Sequence, residues 1–103
     1  MPYINKENRE NLDKSIDELI DNVIVDELEH ASGLPGILNY TITRLVLGTY
    51  EKTYEKLRYA HINNIIGILE CAKLEMYRRV AGPYEDIVSI KNGDLQEFEE
   101  WGD

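Results

Sequence analysis

Side chains able to bind a small anion are concentrated in two stretches of the sequence. The candidates are Asn39, Tyr40, Arg44, Tyr77, Arg78, Arg79 and Tyr84. An arginine guanidinium donates paired hydrogen bonds to phosphate oxygens, and it also stacks on flat rings, as the ring of tyrosine does. These residues therefore predict a site for a small nucleotide-like anion. The alternative that stays open is that the arginines form salt bridges, within or between subunits, with Glu70, Glu75, Glu85 and Asp86.

The two adjacent arginines have different expected roles. Arg78 and Arg79 lie on a predicted helix, so their side chains diverge by about 100°. Arg79 lies four residues after Glu75, which is the spacing of a helical ion pair. We expect Arg79 to pair with Glu75 and Arg78 to point elsewhere.

Carboxylates at helical spacing are the candidates for metal-dependent catalysis. Glu18 and Asp21 lie three apart, the spacing with which all-α nucleotide pyrophosphohydrolases hold Mg²⁺. Such a site needs a second acidic pair on a packed helix. Glu70 and Glu75 are five apart and diverge by about 140° around a helix. The motif is incomplete, so a solvated acidic face is the preferred interpretation of Glu18 and Asp21.

Histidine and cysteine add little to the chemistry. Glu27 and His30 have the spacing of a two-ligand carboxylate–histidine pair, but no second pair accompanies them. Cys71 is the single cysteine, so no internal disulfide can form, and its place within a predicted helix favours a small core residue. We expect no metal, no cofactor and no catalytic residue.

The charge balance limits the partners. Eleven basic and twenty acidic side chains give the 103-residue chain a formal net charge of −9. Nucleic acid polymers and anionic membranes attract positive proteins, so we expect neither as a partner. The sequence has no run of 18 apolar residues and no signal-peptide segment at its N-terminus, from which we expect a cytoplasmic protein.

Apolar residues three and four positions apart predict helices that must position these groups. The predicted helices span about residues 12–30 (starting as early as 6), 35–50, 59–81 and 83–91. The segments 31–36 and 82–83 contain glycine and proline and are expected to break the helices, whereas the polar stretch 50–58 is a loop or a helical extension. We expect an all-α antiparallel bundle of three main helices plus a short C-terminal helix. It forms one domain over residues 1–93, followed by an acidic tail over residues 94–103.

The apolar stripes predict the core and an oligomer. The expected core residues are Ile16, Leu19, Ile20, Ile42, Leu45, Ile62, Ile65, Ile66, Leu69 and Met76. Further apolar groups lie off the stripes, so we expect self-association into a dimer or larger homo-oligomer. In the acidic tail, Phe98 and Trp101 are expected to lie on the body of the protein, or to dock into a groove of a neighbouring subunit.

Several segments carry a family resemblance. They are MPYI (1–4), ILNYTITRL (37–45), IGILECAKLEMYRR (66–79), PYED (83–86) and NGD (92–94). They resemble a family of small uncharacterised proteins from bacteria and phages. The resemblance covers about residues 1–95 and implies a compact helical cytosolic protein that is borne by a phage and has no established activity.

A phage setting suggests a class of function by analogy. Several unrelated small phage proteins are oligomeric sponges that sequester nucleotide signals of host immunity in pockets lined by arginine, tyrosine and asparagine. The analogy of setting and size favours a non-enzymatic oligomeric binding protein that sequesters a small nucleotide-like signal. Two alternatives stay open: a metal-dependent enzyme similar to the all-α nucleotide pyrophosphohydrolases, and a protein–protein inhibitor of a host factor.

Overall fold

The computed structural model describes residues 4–101, and nearly all of them are helical. A short 3₁₀ helix precedes five α-helices and a π-helical segment: Lys6–Asn8 (3₁₀), Glu10–His30 (α1), Leu34–Thr53 (α2), Tyr59–Met76 (α3), Tyr77–Ala81 (π), Gly82–Asn92 (α4) and Gln96–Trp101 (α5). The described residues contain no strand. The predicted all-α fold class is confirmed.

Two of the sequence predictions extend beyond the described residues. The family resemblance begins in residues 1–3, and the acidic tail ends in residues 102–103.

The chain divides after Ile65 into two units. The first unit contains α1, α2 and the first turns of α3. The second contains the rest of α3, the π-helical segment, α4 and α5. The single domain expected over residues 1–93 stays a prediction.

In the first unit, α1 and α2 form a helical hairpin. A groove of about 400 Å³ runs between them. Its lining residues from α1 are Leu19, Asn22, Val23 and Asp26, and those from the turn and α2 are Ser32, Gly36, Ile37, Tyr40 and Thr41.

The turn between α1 and α2 reverses the chain in three residues. Ala31 adopts a left-handed conformation (φ 50°), and its N–H donates to the Glu27 carbonyl over 2.8 Å. Gly33 has φ 100°, which only glycine adopts without strain. Its N–H donates to the Glu27 carboxylate over 2.8 Å. Pro35 then lies in the first turn of α2, where a missing N–H costs nothing.

The break expected at Gly82–Pro83 does not occur, and that prediction is wrong. Ala81 and Gly82 keep right-handed helical angles, and the Gly82 N–H bonds to the Tyr77 carbonyl, five residues back. A proline inside an α-helix clashes with the carbonyl four residues earlier, here that of Arg79. The wider π turn accommodates the proline ring and lets the helix continue into α4.

The predicted core does not form within one chain. Of the ten expected residues, Ile65 alone is buried, and the other nine are 38–66% exposed. Cys71, expected as a core residue, is also exposed. Helices α1 and α2 meet along one edge only, so most of each apolar stripe faces solvent.

The acidic tail contains a helix that the sequence analysis did not predict. In α5, the N–H groups of Phe98 and Glu99 donate to the Leu95 carbonyl, while the Leu95 N–H donates to the Asp94 carboxylate. Phe98 is 63% exposed and Trp101 is 89% exposed. The expectation that these rings lie on the body of the protein is therefore wrong.

Candidate functional site

Three of the predicted ligand-binding residues lie together on α2. Asn39, Tyr40 and Arg44 line one open groove of about 600 Å³, which also contains Gly36, Thr43, Leu47, Gly48, Glu51 and Lys52. These positions recur every three or four residues, so they form one face of the helix. We call this surface the α2 groove.

Tyr40 and Arg44 form the polar centre of the α2 groove. The Arg44 guanidinium donates from Nη1 to the Tyr40 hydroxyl over 3.4 Å, one helical turn away. This hydrogen bond is the main reason that the pKa of Arg44 lies above its usual value. The group that Arg44 bonds is a hydroxyl and not a carboxylate, and the Glu51 carboxylate also raises the pKa of Arg44 by electrostatic attraction.

The charge of the α2 groove differs from that of its neighbour helix. The groove contains Arg44 and Lys52 as cations and Glu51 as its acid. Helix α1 carries eight acidic side chains and one lysine, a net charge of −7 with histidine neutral. The groove is therefore a local positive surface in an acidic chain.

The threonine hydroxyl in the α2 groove is already engaged. Thr43 donates from Oγ1 to the Asn39 carbonyl over 2.7 Å, the common bond of a helical threonine to the preceding turn. The Thr43 oxygen is left as an acceptor, so new donors to an anion come from Arg44, Lys52, the Asn39 amide and the Tyr40 hydroxyl.

In the second unit, both predicted arginines are held by one acid. Arg78 donates from Nη2 to both oxygens of Glu75, over 3.1 and 3.2 Å. Arg79 donates from Nη1 to the same carboxylate over 3.4 Å. The expectation that Arg78 points away from Glu75 is wrong, because residues three and four positions along a helix both lie on the same face. The salt-bridge alternative therefore describes both arginines.

The tyrosines of the second unit are exposed. Tyr77 and Tyr84 are 60% and 65% exposed. Tyr77 lines an apolar groove of about 530 Å³ with Lys73, Leu74, Met76 and Ala81. The structure thus gathers Asn39, Tyr40 and Arg44 in the first unit and places the other four candidates in the second. A single site built from all seven stays a prediction.

An aromatic cluster at the start of α3 was missed by the sequence analysis. The Tyr54 and His61 rings stack with centroids 4.1 Å apart, and the Tyr50 ring lies 5.6 Å from Tyr54. The Arg58 N–H donates to His61 Nδ1 over 3.0 Å. His61 is the third residue of α3, so its ring satisfies the N-terminal amide as the glutamate of a capping box does. The place of His61 three residues after Arg58, at the start of the predicted third helix, was the sequence signal that could have predicted this hydrogen bond.

The metal-site candidates do not converge. In the residues that the structure describes, no three histidine, cysteine, aspartate or glutamate side chains are grouped to hold an ion. The Glu27 carboxylate accepts the Gly33 N–H. His30 Nε2 lies 3.8 Å from the Asp26 carboxylate and 3.9 Å from that of Glu29.

Among the helices that the structure describes, none is both long enough and apolar enough to span a membrane.

Comparison with known proteins identifies the family but no characterised relative. No curated protein and no solved structure matches the sequence. A family model described as a domain of unknown function matches residues 1–95, which is most of the chain and includes the first two residues of the acidic tail. The chain therefore belongs to the domain family DUF6899.

Proposed function

We propose that this protein is a non-enzymatic binding protein that sequesters a small nucleotide-like anion, as sponge proteins of phages do. The observation that carries the proposal is the α2 groove, in which Asn39, Tyr40 and Arg44 lie on one open surface.

The chemistry of the groove suits a phosphate attached to a flat ring. Arg44 uses one N–H on Tyr40, and a guanidinium has five, so donors remain for phosphate oxygens. Tyr40 is 65% exposed and offers a ring face for stacking a base. The Asn39 amide carries both a donor and an acceptor that can read a base edge.

The charge distribution favours a small ligand over a polymer. The groove offers Arg44 and Lys52, whereas the adjacent α1 carries −7. A polyanion that crosses the groove would also lie against α1 and be repelled. A mononucleotide or small cyclic nucleotide fits within the positive region alone.

A thermal-shift panel tests the proposal directly. The panel contains cyclic di- and trinucleotides, ADP-ribose derivatives and nucleoside triphosphates, and titration calorimetry follows any compound that raises the unfolding midpoint. We expect saturable stabilisation in the parent chain. The Arg44 guanidinium supplies the paired N–H donors for a phosphate. Arg44→Ala should therefore weaken binding at least tenfold while keeping the helical dichroism spectrum.

Controls separate the groove from the overall charge. Lys14→Ala also removes one positive charge, but from α1, and should bind with the affinity of the parent. Arg44→Lys keeps the charge but loses the paired N–H donors, so its affinity should lie between those of the parent and Arg44→Ala. Chromatography of the released ligand should recover it unchanged. The proposal fails if no compound raises the midpoint, if Arg44→Ala and Lys14→Ala behave alike, or if the ligand is hydrolysed.

A further inference from the structure

Two grooves of the first unit adjoin on α2. The groove between α1 and α2, which we call the interhelical groove, has a volume of about 400 Å³, and the α2 groove has about 600 Å³. Gly36 and Tyr40 line both of them. These two residues lie one helical turn apart, so the grooves share one edge of the helix. Each volume is in the range of roughly 300–1,000 Å³ that small-molecule sites occupy.

The chemistry of the two grooves is complementary. The α2 groove contains the Arg44 guanidinium. The interhelical groove has apolar walls from Leu19, Val23 and Ile37, and it contains the Asp26 carboxylate. A ligand that occupies both grooves must carry an anion at one end. At its other end it needs a flat apolar group that donates hydrogen bonds.

The Asp26 carboxylate determines which flat group fits. Its side chain is half-buried, and His30 Nε2 lies 3.8 Å away, which is longer than a hydrogen bond. Both carboxylate oxygens can therefore accept hydrogen bonds from a ligand. Among the common nucleobases, guanine presents two adjacent donors, N1–H and the 2-amino group, whereas adenine presents an acceptor next to its amino group. A carboxylate at this position favours guanine.

Gly36 keeps the space between the two grooves open. It lies in the first turn of α2, where alanine or leucine would be a better helix former. A Cβ at this position would meet no atom within 4 Å in the described part of the chain, so packing does not require glycine. Because Gly36 lines both grooves, a side chain there would obstruct a ligand that extends from one groove into the other.

We infer that the two grooves form one site for a guanine nucleotide. The phosphate binds Arg44, the base lies in the interhelical groove beside the Tyr40 ring, and Asp26 accepts hydrogen bonds from N1–H and the 2-amino group. Arg44 lines one groove and Asp26 lines the other, so the anionic end of the ligand is bound away from the carboxylate. This assignment rests on the proposed function and adds the class of base that the site takes.

Titration calorimetry with GTP, ITP and ATP tests the assignment, since ITP differs from GTP only by the missing 2-amino group. A matched pair of hydrogen bonds to a base edge gives about tenfold or more discrimination, so the parent chain should prefer GTP to ITP and ATP by that factor. Asp26→Asn replaces one acceptor with a donor and should remove the preference. Asp21→Asn is the matched control. It also removes one acid from α1, about 140° around the helix from Asp26, and should keep the preference.

A second pair of variants tests whether the two grooves are joined. Gly36→Leu should keep the dichroism spectrum and the unfolding midpoint, because its side chain enters open space, yet it should weaken GTP binding at least tenfold. Gly67→Leu is the control, since Gly67 lies inside α3 and a Cβ there also meets no atom within 4 Å in the described residues. It should bind GTP as the parent does. Equal GTP affinities for both leucine variants would overturn the joined site.

The same titrations separate this assignment from the proposed function. Equal affinities for GTP, ITP and ATP, each weakened by Arg44→Ala, would overturn the guanine assignment and leave the proposed function standing. A preference for GTP that survives Asp26→Asn would likewise overturn the role of the carboxylate. Binding of none of the three by a parent chain with a helical dichroism spectrum would overturn both.

Discussion

Two glycine–proline segments lie in this chain, and they act in opposite ways on the helix that enters them. At residues 31–35 the chain reverses, with Ala31 at φ 50° and Gly33 at φ 100°. At residues 81–83 it continues, with Ala81 and Gly82 at φ −68° and −58°. The difference shows that a proline does not by itself end a helix. Left-handed residues and a capped amide do so in the first segment, and a π turn relieves the proline in the second.

The two segments also leave their arginines in different electrostatic states. The reversal builds the hairpin whose α2 presents Arg44 next to the neutral Tyr40 hydroxyl. The continued helix places Arg78 and Arg79 on the Glu75 carboxylate. A guanidinium that bonds a phenol keeps most of its donors for a ligand, although Glu51 also attracts Arg44, whereas a guanidinium that bonds a carboxylate must first give up an ion pair. This contrast is why the α2 groove is the stronger candidate site.

The largest expected effect comes from removing the glycine of the reversal. Gly33→Ala should lower the free energy of unfolding by up to about 3 kcal/mol, because a Cβ is strained at φ 100°. Gly48→Ala is the control: Gly48 lies inside α2, and its Cβ would meet no neighbouring atom within 4 Å in the described part of the chain. It should gain up to about 1 kcal/mol from helix propensity. Urea denaturation measures both, and equal effects would mean that the reversal does not need glycine.

The next effect concerns the proline that the π turn accommodates. Pro83→Ala restores an N–H and removes the ring, so the segment Tyr77–Ala81 should relax to α geometry. We expect a gain of about 2 kcal/mol, somewhat less than the roughly 3 kcal/mol that a proline costs in an unrelieved helix interior. Denaturation and amide hydrogen exchange at residues 81–84 are the measurements. A loss of stability would show that the π turn has a cause other than Pro83.

The helices could be predicted from the sequence because their apolar periodicity is a local property. The spacing of Ile62, Ile65 and Leu69 is enough to predict α3, whatever else the chain does. The continuation through Pro83 could not be predicted, because composition does not distinguish a proline that ends a helix from one that a π turn accommodates.

The core and the site depend on more than local pattern. Ile20 has the periodicity of a core residue, yet it is half exposed, since periodicity shows which face is apolar and not what covers it. The grouping of Asn39, Tyr40 and Arg44 followed from their spacing on one helix. The bond of Arg78 to Glu75 depends on side-chain rotamers, because positions three and four residues after Glu75 can both reach its carboxylate and the sequence does not choose between them.

The carboxylate that precedes the reversal has a smaller expected effect. Glu27→Ala removes the acceptor of the Gly33 N–H and should cost about 1–1.5 kcal/mol. Glu27→Gln keeps an oxygen at the same position and should recover most of this loss, since the bond needs an acceptor and not a charge. Thermal denaturation with dichroism detection compares the three chains. If Glu27→Gln is as unstable as Glu27→Ala, the carboxylate acts through its charge on the N-terminus of α2 and not as a cap.

The smallest expected effect is at the carboxylate that precedes the continued helix. Glu75→Gln weakens its pairs with Arg78 and Arg79, whose side chains are 69% and 59% exposed. Solvent screens such pairs, so we expect a loss of at most about 0.5 kcal/mol in urea denaturation. The variant should not bind nucleotides more tightly than the parent, because the proposed site contains Arg44 and lies on α2. Tighter binding by Glu75→Gln, reversed by adding Arg78→Ala, would instead move the anion site to the second unit and break the contrast between the two arginine groups.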